Sequence, residues 1–268
     1  MQKQFQYKST NISYNIHGKG KAVVLIHGFA EDSEVWNEQV NFLQKNCQLI
    51  IPDLPGSGKS GFLSEENAVI EDYAKIINAL LENEQINNCI MIGHSMGGYV
   101  TLAFADLFPG KLNGFGFVHS TAFADDEKKK EARAKGIKFI EEHGVYSFLK
   151  NTTPNLFAQK FKDEQPEKIS ELIEKGKLFT KEALIQYYRI MINRPDRTNV
   201  LTNSNVPVLF VIGTEDVAAP MQDLLQQVHL PKVSDIHIIK EAGHMSMLEK
   251  PLELNEKLLQ FINFTQNS

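Results

Sequence analysis

The pentapeptide Gly93-His94-Ser95-Met96-Gly97 fits G-x-S-x-G, and its setting carries more weight than its letters. Before it, Cys89–Ile92 reads as a short buried strand; after it, Tyr99–Phe108 follows a helical apolar pattern. A serine on so sharp a strand-to-helix turn projects its hydroxyl above the sheet. The flanking glycines are required because larger side chains clash in that turn. Ser95 is therefore the candidate nucleophile. A serine hydroxyl attacks poorly at neutral pH unless a base lies within hydrogen-bond reach. That base is usually a histidine held in one tautomer by a carboxylate.

In an open parallel sheet such groups gather beyond the carboxyl ends of the strands. This rule sorts the eight histidines of the chain. His244 follows the expected strand Asp235–Lys240 and precedes the last expected helix, Leu252–Phe264. It is the expected base. His17, His143, His229 and His237 fall in a turn, in or beside helices, or inside a strand, and read as ordinary surface or core rings. His27, His94 and His119 also lie at strand ends. His94 directly precedes Ser95, so its ring points away and packs under the turn. His27 sits on the loop that must supply a backbone donor, while His119 stays open as a pocket-lining residue.

Asp216 comes just after the expected strand Val206–Ile212. The order Ser95, Asp216, His244 is the one this kind of turn uses. Its neighbour Glu215 is the alternative acid. Asp53 reads as structural in the loop Asp53–Gly61, and Asp223 and Asp235 as solvated. Charge developing on a tetrahedral intermediate needs preorganised donors. The backbone N–H groups of Phe29 and Met96 are placed to supply them.

Those residues need a scaffold, and the chain supplies alternating strand and helix signals. Phe5–Lys8 and Ile12–His17 suggest a hairpin. Ala22–Ile26 and Cys47–Ile51 are continuous apolar runs, as expected of strands covered on both faces. Ser33 is the expected cap of a helix carrying Val35, Trp36, Val40 and Leu43. Asn67–Leu81 reads as an amphipathic helix and Leu112–His119 as another strand. From Thr121 to about Arg197 no strand is legible, only helical patterns. The expected organisation is thus an α/β core, residues 1–120 and 198–268, interrupted by a helical insertion, residues 121–197. Within the insertion, the charged run Asp125–Lys135 reads as the solvated face of a helix.

Bulk properties narrow the class. The chain has 268 residues, 42% hydrophobic and 23% charged, with a net charge of −5. The acidic balance and lack of a basic cluster disfavour a nucleic-acid partner. No apolar run approaches membrane-spanning length, and the N-terminus lacks the apolar core of a signal peptide. A soluble, cytoplasmic protein acting on a small molecule is expected, with oligomeric state unspecified. Cys47 and Cys89 each open an expected strand, which suits core residues better than a disulfide.

The sequence resembles the α/β-hydrolase superfamily over nearly its whole length. The likeness rests on His27-Gly28-Phe29, the segment Asp53–Ser60, Gly93–Gly98, Gly213-Thr214-Glu215-Asp216 and Ala242-Gly243-His244. It implies an eight-stranded, mostly parallel sheet with helices on both faces and a helical cap inserted after the sixth strand. It also implies the roles argued above for Ser95, Asp216, His244, Phe29 and Met96. Superfamily dehalogenases and epoxide hydrolases carry an aspartate at the elbow, so Ser95 argues against both. The cap would roof the site, with Phe123, Phe148, Phe157, Tyr187 and Met191 as candidate substrate-binding residues. Phe139, Leu149, Leu156 and Tyr188 are further wall candidates, and Arg194-Pro195-Asp196-Arg197 reads as a structural return to the core. Such an apolar roof favours uncharged substrates of modest size.

The expected activity is hydrolysis of a carboxylic ester, lactone or thioester through an acyl-enzyme. Alternatives are C–C bond hydrolysis or perhydrolysis by the same triad, and a ligand-binding receptor or partner protein on a hydrolase scaffold. The chemistry calls for no cofactor and no metal, and no clustered Cys/His spacing is present.

Overall fold

Ala22–Ile26 offers no polar residue to turn towards water, and every one of its residues is buried. The same holds for Cys89–His94 and Val208–Gly213. Such strands need cover on both faces. The structure, a computed structural model describing residues 1–65 and 67–265, gives it to them. Its strands are β1 (Gln2–Tyr7), β2 (Thr10–His17), β3 (Ala22–Ile26), β4 (Gln48–Pro52), β5 (Cys89–His94), β6 (Leu112–Val118), β7 (Val208–Gly213) and β8 (Ser234–Ile239). They form one eight-stranded sheet in the order β1-β2-β4-β3-β5-β6-β7-β8. β1–β2 and β2–β4 pair antiparallel, and every other pair is parallel.

Successive side chains of a strand point to opposite faces, and the core divides accordingly. Val24, Ile26, Met91, Phe117 and Phe210 share one apolar cluster; Val23, Leu25, Ile90, Ile92 and Val211 share the other. The helices are α1 (Asn37–Leu43), α2 (Ile70–Asn83), α3 (Met96–Leu107), α4 (Glu127–Thr152), α5 (Gln159–Glu164), α6 (Pro166–Lys175), α7 (Lys181–Asn193), α8 (Thr198–Thr202), α9 (Met221–Leu225), α10 (Ser246–Glu249) and α11 (Pro251–Phe264). α2 and α3 cover the first face through Tyr73, Ile77, Val100 and Phe104. α1 and α11 cover the second through Val40, Leu43, Leu258 and Phe261.

Several boundaries move for local reasons. Pro207 has no N–H for the ladder, so β7 starts at Val208 and Pro207 contributes only its carbonyl, to Phe115 N–H. Cys47 lies in the turn that follows α1, its N–H donating to Leu43 O, so β4 starts at Gln48. The expected Ser33 cap is Asp32 instead, whose Oδ1 accepts Glu34 N–H at 2.9 Å at the head of a 3-10 turn, Ser33–Trp36. Ser33 is already committed, its N–H donating to Asp53 Oδ1 at 2.9 Å. α2 begins three residues later than expected, where Asp72 reaches back to accept Val69 N–H at 3.1 Å.

Between β6 and β7 the described chain is helical, α4 to α8, with α4 broken at Gly144 (φ 82°). The register aligns His94 with Val118, and Val118 with Val211. The residues that follow β3, β5, β6, β7 and β8 therefore leave the sheet along a single edge. Among the described residues no helix is long and apolar enough to cross a membrane.

Candidate active site

At the end of β5 the chain reverses into α3 through Ser95, whose backbone sits at φ 49°, ψ −117°. A non-glycine residue there is strained, and such strain persists only where the surroundings over-determine it. Here they do. Ser95 N–H donates to Val118 O at 3.1 Å, and its carbonyl accepts from Gly98 N–H at 2.9 Å and from Ser120 Oγ at 2.7 Å. The turn closes so tightly that a Cβ on Gly93 would lie 2.2 Å from the Gly97 carbonyl, and one on Gly97 would lie 2.4 Å from Ile26 O.

Asp216 follows β7 and is buried, with all four of its hydrogen bonds accounted for. Oδ1 accepts the N–H groups of Ala218 and Ala219, each at 2.9 Å. Oδ2 accepts His244 Nδ1–H at 2.8 Å and His119 Nδ1–H at 3.1 Å. Burial opposes the carboxylate, but the His244 and His119 partners outweigh it and hold Asp216 well below the usual carboxylate range. Burial likewise opposes a charged His244, yet the Asp216 charge holds that ring above its ordinary value. With Nδ1 committed to Asp216, Nε2 is the basic nitrogen of His244. Ser95 and His244 line one cavity, and Phe29 lines it with them. Met96 opens α3, so its N–H is among the donors a helix leaves unused.

Among the described residues no hydrogen bond yet joins Ser95 Oγ to His244. Such contacts often tighten only when substrate binds. Glu215, the alternative acid, is exposed; its carboxylate accepts Gln159 N–H at 3.3 Å, away from the imidazole.

His119 does not line the cavity. Burial pushes its pKa down to about 4, so the ring is neutral, donating to Asp216 from Nδ1 and accepting from Ser246 Oγ at Nε2, 2.7 Å away. His94 packs under the turn as expected, but it does not turn away from the machinery. Its Nε2–H donates to His244 O at 2.9 Å, and its Nδ1 lies 3.0 Å from Glu31 Oε2. Glu31 Oε2 also accepts Gly28 N–H at 2.7 Å, which ties the loop bearing Phe29 to the same cluster. Glu249 accepts three backbone N–H groups, from Ala158, Gly243 and Met245. His244 N–H donates to Leu156 O in the helical insertion at 2.6 Å. His27 and Asp53 are structural: His27 Nε2 accepts Leu54 N–H, and Asp53 accepts from Ser33 and Lys59.

His119, Asp216 and His244 bring one ligand atom each within 4.8 Å of one another. A cation held by these atoms would displace the ring N–H protons that Asp216 now accepts, undoing the charge balance that makes His244 basic. The donor set suits a proton relay better than a metal.

The cavity has a volume of ≈ 200 Å³. From the insertion, Phe148, Leu149, Leu156, Tyr188 and Met191 face it. Four other candidates do not. Phe157 stacks on Phe161 at 5.2 Å in the opposite core cluster. Tyr187 is drawn beneath, its hydroxyl bonded to Ser57 Oγ at 2.7 Å and to Pro55 O at 2.8 Å. Phe123 contributes its carbonyl to Arg194 instead, and Phe139 packs against His143 at 4.6 Å.

The roof is also not wholly apolar. Arg133 lines the cavity, and Asp125, read as part of a solvated run, is buried between Arg133 and Arg194. The sequence held one hint of this. Arg133 is the single arginine among the lysines of Asp125–Lys135, and arginine is the residue suited to buried bidentate pairs. Arg197 is structural, paired with Glu71 and, at 3.3 Å, with Asp106.

Comparison with known proteins agrees with this fold. The model of the family described as serine aminopeptidase, S33 matches residues 18–251. A 2-hydroxy-6-oxo-6-phenylhexa-2,4-dienoate hydrolase from Comamonas testosteroni is 24% identical, over 94% of this chain and 91% of its own. A thermophilic esterase from Thermogutta terrifontis superposes with a TM-score of 0.92 at 24% identity, covering 99% of each chain. The enol-lactonase from Burkholderia xenovorans LB400 superposes with a TM-score of 0.90 at 18% identity, over 97% of this chain and 100% of its own. At these identities the superpositions establish the α/β-hydrolase fold alone.

Proposed function

From the premise that the chain belongs to the serine aminopeptidase S33 family of α/β-hydrolases, we propose that it cleaves a small carboxylic ester, lactone or thioester through an acyl-enzyme. The observation that carries this is the Asp216–His244 pair opening onto the cavity that Ser95 enters from its strained turn. Ser95 Oγ attacks the carbonyl carbon as His244 Nε2 takes its proton. The Phe29 and Met96 N–H groups receive the resulting oxyanion. His244 then protonates the leaving group, and a water deprotonated by the same nitrogen releases the acid and regenerates Ser95. The relatives that are an esterase, an enol-lactonase and a dienoate hydrolase support hydrolysis at such a site. A cytoplasmic setting, in which thiols such as those of Cys47 and Cys89 stay reduced, goes with this reading.

Turnover of short-chain p-nitrophenyl esters tests it, with mass spectrometry of the protein during turnover. Multiple turnovers, an acyl mass increment on Ser95 and loss of both in Ser95→Ala are expected. A single stoichiometric burst, or binding without hydrolysis, would replace the reading with the ligand-binding alternative.

A further inference from the structure

Of the insertion residues that line the cavity, Arg133 alone carries a charge. Its surroundings do not use that charge up. Asp125 takes Arg133 Nε at 2.5 Å and Nη2 at 3.3 Å, which occupies one side of the guanidinium fork. The same carboxylate also takes Arg194 Nη1 at 2.9 Å. Arg194 is fully engaged otherwise: it donates to Met191 O and Phe123 O and lies 3.8 Å over the Tyr99 ring. Two guanidinium charges therefore share one carboxylate, and one positive charge is left over. The neighbouring lysines do not alter the sum, since Lys130 pairs with Glu127 and Lys129 with Asp223. Glu31, across the cavity, is spent on His94 and Gly28 N–H.

Among the described residues Nη1 of Arg133 has no protein acceptor. The outer edge formed by Nη1 and Nη2 is thus open, and that edge matches a carboxylate in two parallel hydrogen bonds. The Arg133 side chain is 21% exposed, so this edge is reachable by an incoming ligand, and a charge-assisted bidentate pair there is stronger than a neutral hydrogen bond. Two ring contacts link this edge to the reacting centre: Arg133 lies 5.7 Å over Tyr188, and Tyr188 stacks on Phe29 at 4.5 Å.

We infer that the substrate carries a carboxylate seated on the open edge of Arg133, with its scissile carbonyl at Ser95. Resting on the hydrolase reading, this narrows the substrate to a half-ester of a short dicarboxylic acid, or to a lactone or thioester with an acid arm. The small cavity favours a short arm. It also revises the expectation of an uncharged substrate.

The test compares monoethyl glutarate with ethyl valerate, a neutral ester of matched length, for wild type, Arg133→Met and Arg133→Lys. Wild type prefers the half-ester by at least about ten-fold in kcat/KM, chiefly through KM. In Arg133→Met the ratio of the two kcat/KM values collapses towards one, and Arg133→Lys, which keeps the charge without the fork, lies between. Equal use of both esters by wild type, or a ratio unmoved by either substitution, overturns the inference. Calorimetric binding of glutarate to Ser95→Ala, with and without Arg133→Lys, separates this from failure of the hydrolase reading. Glutarate binding weakened by Arg133→Lys with no ester turnover in wild type keeps the carboxylate site and rejects the chemistry. No binding and no preference rejects the site.

Discussion

Asp216 Oδ2 serves two imidazoles at once, and the consequences can be measured separately. In the proposed mechanism His244 accepts a proton only as a neutral ring, and Asp216 holds its folded pKa above 6.5. kcat/KM should therefore climb with pH along a limb whose midpoint lies above 6.5. In Asp216→Asn that midpoint should drop while the rate falls by several powers of ten. His119→Leu removes a donor from a buried carboxylate, and such charged hydrogen bonds are worth about 1.5–3 kcal/mol. A roughly ten- to hundred-fold loss in kcat is expected, with the limb moving to still higher pH because Asp216 is left with more charge for His244. His119→Gln keeps an N–H and should recover part of both effects. A pH–rate profile that does not move would limit His119 to packing.

Stability responds to pH in a different window. His119 has its folded pKa pushed down to about 4 from 6.5, so the unfolded chain binds more protons between those values. Its contribution is complete above pH 6.5 and is lost as pH falls towards 4. Asp216, also depressed, loses its share in the same direction but lower. His244 runs the other way, its share present below pH 6.5 and lost as pH rises through its raised folded value. Thermal melts should show Tm falling between pH 6.5 and 4, less steeply in His119→Gln.

The strand–turn–helix around Ser95 depends on backbone separations rather than on side-chain packing. Gly97→Ala would place a methyl 2.4 Å from Ile26 O, which no rotamer relieves. It should cost more than ~3 kcal/mol or prevent soluble expression; a normal melt would show that the turn has slack. This element was legible because its signal is local: apolar run, glycines and helix all lie between Cys89 and Phe108. Asp216 and His244 were legible for a related reason, each just past a strand that the pattern reveals. The wall of the cavity was not. Phe148 and Phe157 look alike in sequence, yet Phe148 faces the cavity from α4 while Phe157 stacks on Phe161. Glu31, His119 and Glu249 reach His94, Asp216 and Ala158 through contacts distant in sequence. Arg133 was hidden inside a run that reads as surface, because Arg194, the second cation on its partner Asp125, lies at the far end of the insertion.

At the scale of the whole molecule, the insertion is attached to the core at more than its two ends. Leu156 O and Ala158 N–H both enter the network around His244, the second through Glu249. Glu249→Ala frees three backbone donors in a half-buried loop and should cost at least ~2 kcal/mol. For a chain of this size that is roughly a 5 °C fall in Tm, accompanied by a lower kcat because His244 is less well held. A drop in Tm with kcat intact would make Glu249 a matter of stability alone. Because the insertion grips the loop that bears His244, the two form one mechanical linkage, and strain applied to either is felt at the imidazole.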